Sequence, residues 1–184
     1  AVLLIIEHGD YPVNDFGQVL YPRYELFEQM VGVFRESGRS VPVFVDKHLS
    51  YDHKLAAKMV ATARELKFGL MAGSSLPVTI RRPPLKVPIG SELESAIALG
   101  YGGREAYGFH ALEALQCMVE RRRGGETGVA AVQVLEGDQM FQALDAGRWS
   151  RELLEASLSL IPHKPGNVED NCRNNKGAAV YLIE

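Results

Sequence analysis

Ser40-Val-Pro-Val-Phe-Val-Asp-Lys-His-Leu-Ser50 sets a β-branched apolar run directly against an acidic, basic and imidazole triplet. The run Val41 to Val45 predicts a strand, with Pro42 tolerated near its start. The strand ends at Asp46-Lys47-His48. Ser50 then stands where an N-cap belongs. The helix behind it carries Leu55, Met59, Val60, Ala63 and Leu66 on one face and closes near Lys67.

Moving outward, Val2 to Ile6 is a continuous apolar run of the kind found in strands covered on both faces, and it stops at Glu7-His8-Gly9-Asp10. Tyr24, Phe27, Val31 and Phe34 recur at helical spacing, and Ser37-Gly38 terminates that helix. Phe68 to Ala72 predicts a third strand before Gly73. Strand, helix, strand, helix, strand at short intervals is the rhythm of βαβ units winding into a parallel sheet. Ligands of such sheets bind beyond the carboxyl ends of the strands. The polar clusters Glu7–Asp10 and Asp46–His48 fall there.

From Leu76 to Ile89 the texture changes to Pro77, Pro83, Pro84 and Pro88 with Arg81-Arg82, an extended crossing between two units, so domains are expected over 1–75 and 76–184. Beyond it, Leu93–Tyr101 and Val129–Leu135 read as strands. Ala106–Arg123, Asp138–Leu144 and Arg151–Leu160 read as helices, Pro162–Asn175 as loop, and Ala178–Glu184 as a further strand-like run. Mixed order of this kind predicts an α+β domain. Ala1 and Glu184 both fall in strand-like runs, so the chain is expected to be an internal fragment of a longer protein.

Composition narrows the function. The chain has 184 residues, of which 46% are hydrophobic and 23% charged, as in ordinary globular proteins. Twenty Lys plus Arg stand against 23 Asp plus Glu, a formal charge of -3 that gives no electrostatic reason for a nucleic-acid partner. The longest apolar run, Ala1 to Ile6, is far short of the ~20 residues that cross a bilayer, so no membrane association is expected. Cys117 and Cys172 belong to no metal-binding spacing, and the expected setting is the reducing cytoplasm.

Three readings of the polar strand ends follow. A lysine at such an edge donates to a substrate hydroxyl or carbonyl and relays a proton when burial lowers its pKa. Alternatively, Glu7, His8, Asp10, Asp46 and His48 supply enough oxygen and imidazole donors for a divalent metal in a lyase, isomerase or hydrolase, although the Lys47 charge opposes a cation. In a third reading the scaffold binds a small polar ligand or a partner without catalysis. His110, on the predicted second-unit helix with Glu105 and Tyr107 nearby, reads on its own as a structural histidine.

The stretch Gly38 to Ser50, the helix to Leu66 and Gly69-Leu-Met-Ala-Gly73 resemble the glucose–fructose oxidoreductase / inositol dehydrogenase family, where a Gly-Lys-x-Val segment leads into Glu-Lys-Pro, a helix and a glycine-ended strand. Asp46 stands for the Glu, Lys47 matches, and His48 replaces the Pro. Gly108-Phe-His110-Ala-Leu-Glu113 is similar to that family's Gly-x-His-x-x-Asp segment. The resemblance implies an α/β fold: the second half of a Rossmann-like parallel sheet, followed by an incomplete α+β domain. It implies an oxidoreductase acting on a sugar or polyol, with NAD or NADP bound by the full-length protein and homo-oligomeric when complete. No cofactor is expected on this chain alone, because it lacks the glycine-rich first turn. Lys47 would bind the reacting hydroxyl and His110 accept its proton. Glu105 would substitute for the carboxylate that the family places where Ala106 stands. Glu7, His8, Gly9, Asp46 and Lys47 would border the cofactor.

Overall fold

The computed structural model describes residues 1–6, 9–161 and 166–184. The chain divides into two compact units, Ala1–Ser75 and Leu76–Glu184. It is a mixed α/β protein with one three-stranded parallel sheet and one small antiparallel sheet. Among the described residues no helix is long and apolar enough to cross a membrane.

The first unit runs β1 (Val2–Leu4), α1 (Arg23–Ser37), β2 (Val43–Asp46), α2 (His53–Glu65) and β3 (Leu70–Gly73). Its strands lie parallel in the order β1-β2-β3, with Leu4 opposite Val45 and Val45 opposite Ala72. The pleat turns Val2, Leu4, Val43, Val45 and Leu70 towards one side. There they meet Phe27, Val31 and Phe34 of α1, Met59 and Ala63 of α2, and Phe68. The Phe34 and Phe68 rings meet edge to face at 5.4 Å. Each crossover to the adjacent strand passes through a helix, and both helices pack into this one core.

The other side carries the row Leu3, Phe44 and Met71 in register. Leu3 and Met71 are 64% and 66% exposed. The apolar run of β1 therefore departs from the expectation of cover on both faces. The helices seal only alternate residues.

Helix ends follow local chemistry. Gly38 closes α1 at φ 63, a left-handed conformation that glycine adopts without steric cost. Helix α2 starts later than Ser50 predicts. Its cap is Asp52, whose carboxylate accepts from the Lys54 amide at 2.7 Å, while Ser50 Oγ accepts from the Asp52 amide and shapes the turn leading in.

The second unit contains a 3-10 turn at Leu76–Val78, α3 (Arg104–Val119), β4 (Val132–Glu136), α4 (Asp138–Asp145), α5 (Arg151–Ser159), α6 (Val168–Asn174) and β5 (Ala179–Ile183). Strands β4 and β5 pair antiparallel, Val134 opposite Tyr181. Leu135, Met140, Phe141, Ala143, Leu144 and Leu154 form the core beneath them.

Two expectations change here. Leu93–Tyr101 is irregular rather than a strand: among the described residues it joins neither sheet, and next to it stands the isolated bridge Ser91–Arg122. The span read as loop contains α6. Asn167 caps that helix by accepting from the Glu169 and Asp170 amides, and its acidic first turn and Arg173 suit the helix dipole.

Candidate functional site

The carboxyl end of β2 gathers the chemistry of the first unit. Asp46 is the last strand residue. Lys47 then turns into the left-handed region at φ 68, and its amide donates to the Gly73 carbonyl at 3.0 Å. That contact fixes the lysine between the tips of β2 and β3. A lysine at positive φ costs about 1–2 kcal/mol relative to an ordinary conformation, and strained backbone of this kind clusters at functional sites. Lys47 Nζ donates to Asp46 Oδ2 at 2.8 Å, with both side chains less than one-fifth exposed. Partial burial strengthens that pairing and orients the ammonium.

The next residue meets α1. Arg23 Nη1 lies 3.0 Å from His48 Nε2. Arg23 is 2% exposed, and its guanidinium carbon sits 4.3 Å from the centre of the Tyr21 ring. The Tyr21 ring stands edge-on to the imidazole at 6.2 Å and packs against Tyr11 at 5.4 Å. Burial, reinforced by the Arg23 cation, lowers the His48 pKa from 6.5 to about 4. His48 is therefore neutral at physiological pH.

The loop from β1 into α1 supports this cluster. Val13 and Val19 bridge antiparallel, Asn14 Nδ2 donates to Gln18 Oε1, and Gln18 Nε2 donates to the Tyr51 carbonyl at 3.4 Å, tying the loop to the approach of α2. The space beside the Gly9 Cα is filled by Tyr11, since a Cβ there would lie 2.6 Å from its ring. Glu7 and His8, expected at the cofactor, lie outside the described residues.

The chain matches no family model, no curated protein and no solved structure.

Among the described residues no three His, Cys, Asp or Glu side chains are grouped to hold an ion; Glu7 and His8, two of the five ligands that the metal reading names, lie outside them. Of the ligands that reading named and the structure describes, His48 presents its Nε2 to a cationic guanidinium, which occupies the lone pair a metal would need. The chain passes from β1 to α1 through the Val13–Val19 bridge and enters the helix at Pro22-Arg23, with no side-chain cap.

His110 and Glu105 lie on α3, in the second unit, apart from the Lys47 cluster in sequence and in compact unit. Five helical positions separate them, a rotation of about 140° around the axis. They therefore leave α3 from different sides. The His110 ring packs edge-on to Tyr107 at 6.2 Å, and its Nδ1 is buried without a hydrogen-bond partner. Gly108 has a structural role of its own: a Cβ there would lie 3.0 Å from the Tyr181 hydroxyl of β5. Burial pushes the Tyr181 phenol up from its usual value.

Arg23, Tyr21 and Tyr11 complete the strand-end cluster and are not singled out by the sequence reading. One signal was available: a cation in the first position of a helix opposes the helix dipole. A residue breaking that rule invites a reason.

Proposed function

We propose that the tip of β2 is the substrate end of an oxidoreductase acting on a sugar or polyol hydroxyl, carried by a Rossmann-like sheet of which β1, β2 and β3 are one half. The observation that carries the reading is Lys47. It is held at positive φ, hydrogen-bonded through its backbone to Gly73 and ion-paired to Asp46, at the edge where parallel sheets bind ligands. The resemblance of Asp46-Lys47 to the family's Glu-Lys pair supports the same assignment.

In this reading the Lys47 ammonium, held by its ion pair with Asp46, donates to the oxygen of the reacting group. In the direction of carbonyl reduction, negative charge would develop on that oxygen as hydride from a bound nicotinamide reached the carbon, and Lys47 Nζ would give it a proton, leaving the alcohol and a neutral amine; oxidation of the hydroxyl is the reverse, with the neutral amine taking the proton. The reading concerns substrate binding and proton handling by this chain's own residues alone.

The test is nicotinamide reduction by the whole protein, followed by absorbance, with NAD+ or NADP+ and glucose or myo-inositol as probes. Turnover is expected with at least one pair. Lys47→Met should lower kcat by about 10²–10⁴-fold, the range of a positioned acid–base group. Absence of reduction with every pair, or unchanged kcat in Lys47→Met, overturns the proposal. Calorimetric binding of a sugar without any turnover would instead establish the non-catalytic scaffold.

A further inference from the structure

Arg23 sits where stability alone would not put it. It is almost fully buried, although burying a guanidinium costs several kcal/mol unless partners compensate. It also opens α1, at the positive end of the helix dipole. A residue that breaks two local rules at once marks a functional arrangement more often than a structural one. Its compensation includes the Tyr21 ring face and a nitrogen of His48.

That nitrogen carries the argument. Guanidinium has five N–H donors and no acceptor, and it stays protonated in proteins. At 3.0 Å, His48 Nε2 must therefore be the acceptor. An Nε2 that accepts carries no proton, so the ring's single proton in the neutral state resides on Nδ1. Most free imidazole side chains prefer the opposite tautomer, and which form a protein selects depends on the hydrogen bond made by the other nitrogen. The edge of Tyr21 further restricts rotation of the ring.

We propose that Arg23 is a positioning residue that fixes His48 as the neutral Nδ1–H tautomer, making it a hydrogen-bond donor at the tip of β2 and barring it from accepting a proton through Nε2. Any group that meets Nδ1, whether from the chain or from a ligand, must then bring a lone pair. The tautomer does not rest on the oxidoreductase reading.

Long-range ¹H–¹⁵N correlation spectra of the protein carrying ¹⁵N-labelled histidine test it, with the His48 signals assigned by their loss in His48→Gln. The wild type should show an unprotonated Nε2 and a protonated Nδ1 at neutral pH. Arg23→Met, which removes the donor while keeping a long side chain, should move the ring towards Nε2–H by several-fold, and Arg23→Lys, which retains a donor, should restore the wild-type pattern. A protonated Nε2 in the wild type, or an unchanged tautomer in Arg23→Met, overturns the proposal. Should Arg23→Met fail to fold, the wild-type spectrum and Arg23→Lys decide by the same criterion. These spectra are independent of turnover, so a negative result here leaves the Lys47 assay standing, and the reverse also holds.

Discussion

The first unit buries its most costly cation, Arg23, against an aromatic ring and an imidazole, whereas the second spreads its ion pairs over the surface. Arg104–Glu136, Arg123–Glu92, Arg151 with Asp145 and Glu169, and Arg173–Asp138 involve side chains that are 33% to 74% exposed. Exposed pairs of this kind contribute little, because water screens them and two long side chains lose freedom to form them. A buried polar cluster has the opposite character. Each group depends on its neighbours, and removing one leaves the others unsatisfied in a poor solvent for charge. The difference separates charges that decorate a fold from charges that specify a site.

The largest test of this contrast uses pH. The folded pKa of His48, about 4, lies below its ordinary 6.5, so between these values the unfolded chain binds more protons than the folded one. Its contribution to stability is therefore complete above 6.5 and is lost as pH falls towards 4. With allowance for screening of a partly solvated ring, the loss is on the order of 2 kcal/mol. Urea unfolding at a series of pH values should show wild type losing more stability than His48→Gln over this window. Parallel curves would break the contrast.

A smaller effect probes the backbone at Lys47. Lys47→Gly and Lys47→Ala remove the same ion pair, but only glycine accepts φ 68 without strain. The glycine variant should be the more stable of the two by about 1–2 kcal/mol, read as a difference in urea midpoint. Equal midpoints would mean that the turn is unstrained. The smallest effect belongs to the second unit. Arg104→Ala should change the melting free energy by less than about 1 kcal/mol, and a larger loss in a thermal melt would show that this pair does more than sit on the surface.

Much of the first unit is legible in the sequence, because its strands are β-branched runs and its helices repeat apolar residues at a helical period. Phe27, Val31 and Phe34 reach the core as that period requires. What is not legible depends on neighbours in space. Leu93–Tyr101 has the residues of a strand but takes no ladder partner among the described residues. Helix α6 has a good cap in Asn167, but it follows a tract of proline, glycine and asparagine that reads as loop. In the site, Asp46, Lys47 and His48 are legible as polar residues at a strand end. Arg23 is not: in sequence it is a surface cation in a first helical turn, and the fold that brings Tyr21 and His48 against it makes it an interior group.

The row Leu3, Phe44 and Met71 carries a thermodynamic consequence. The increase in heat capacity on unfolding comes mainly from hydrocarbon newly wetted when the chain opens. Leu3 and Met71 are largely wetted beforehand. Their side of the sheet therefore adds little to that increment, and the first unit's stability should vary more gently with temperature than that of a three-layer unit of equal length, whose strands are dry on both sides.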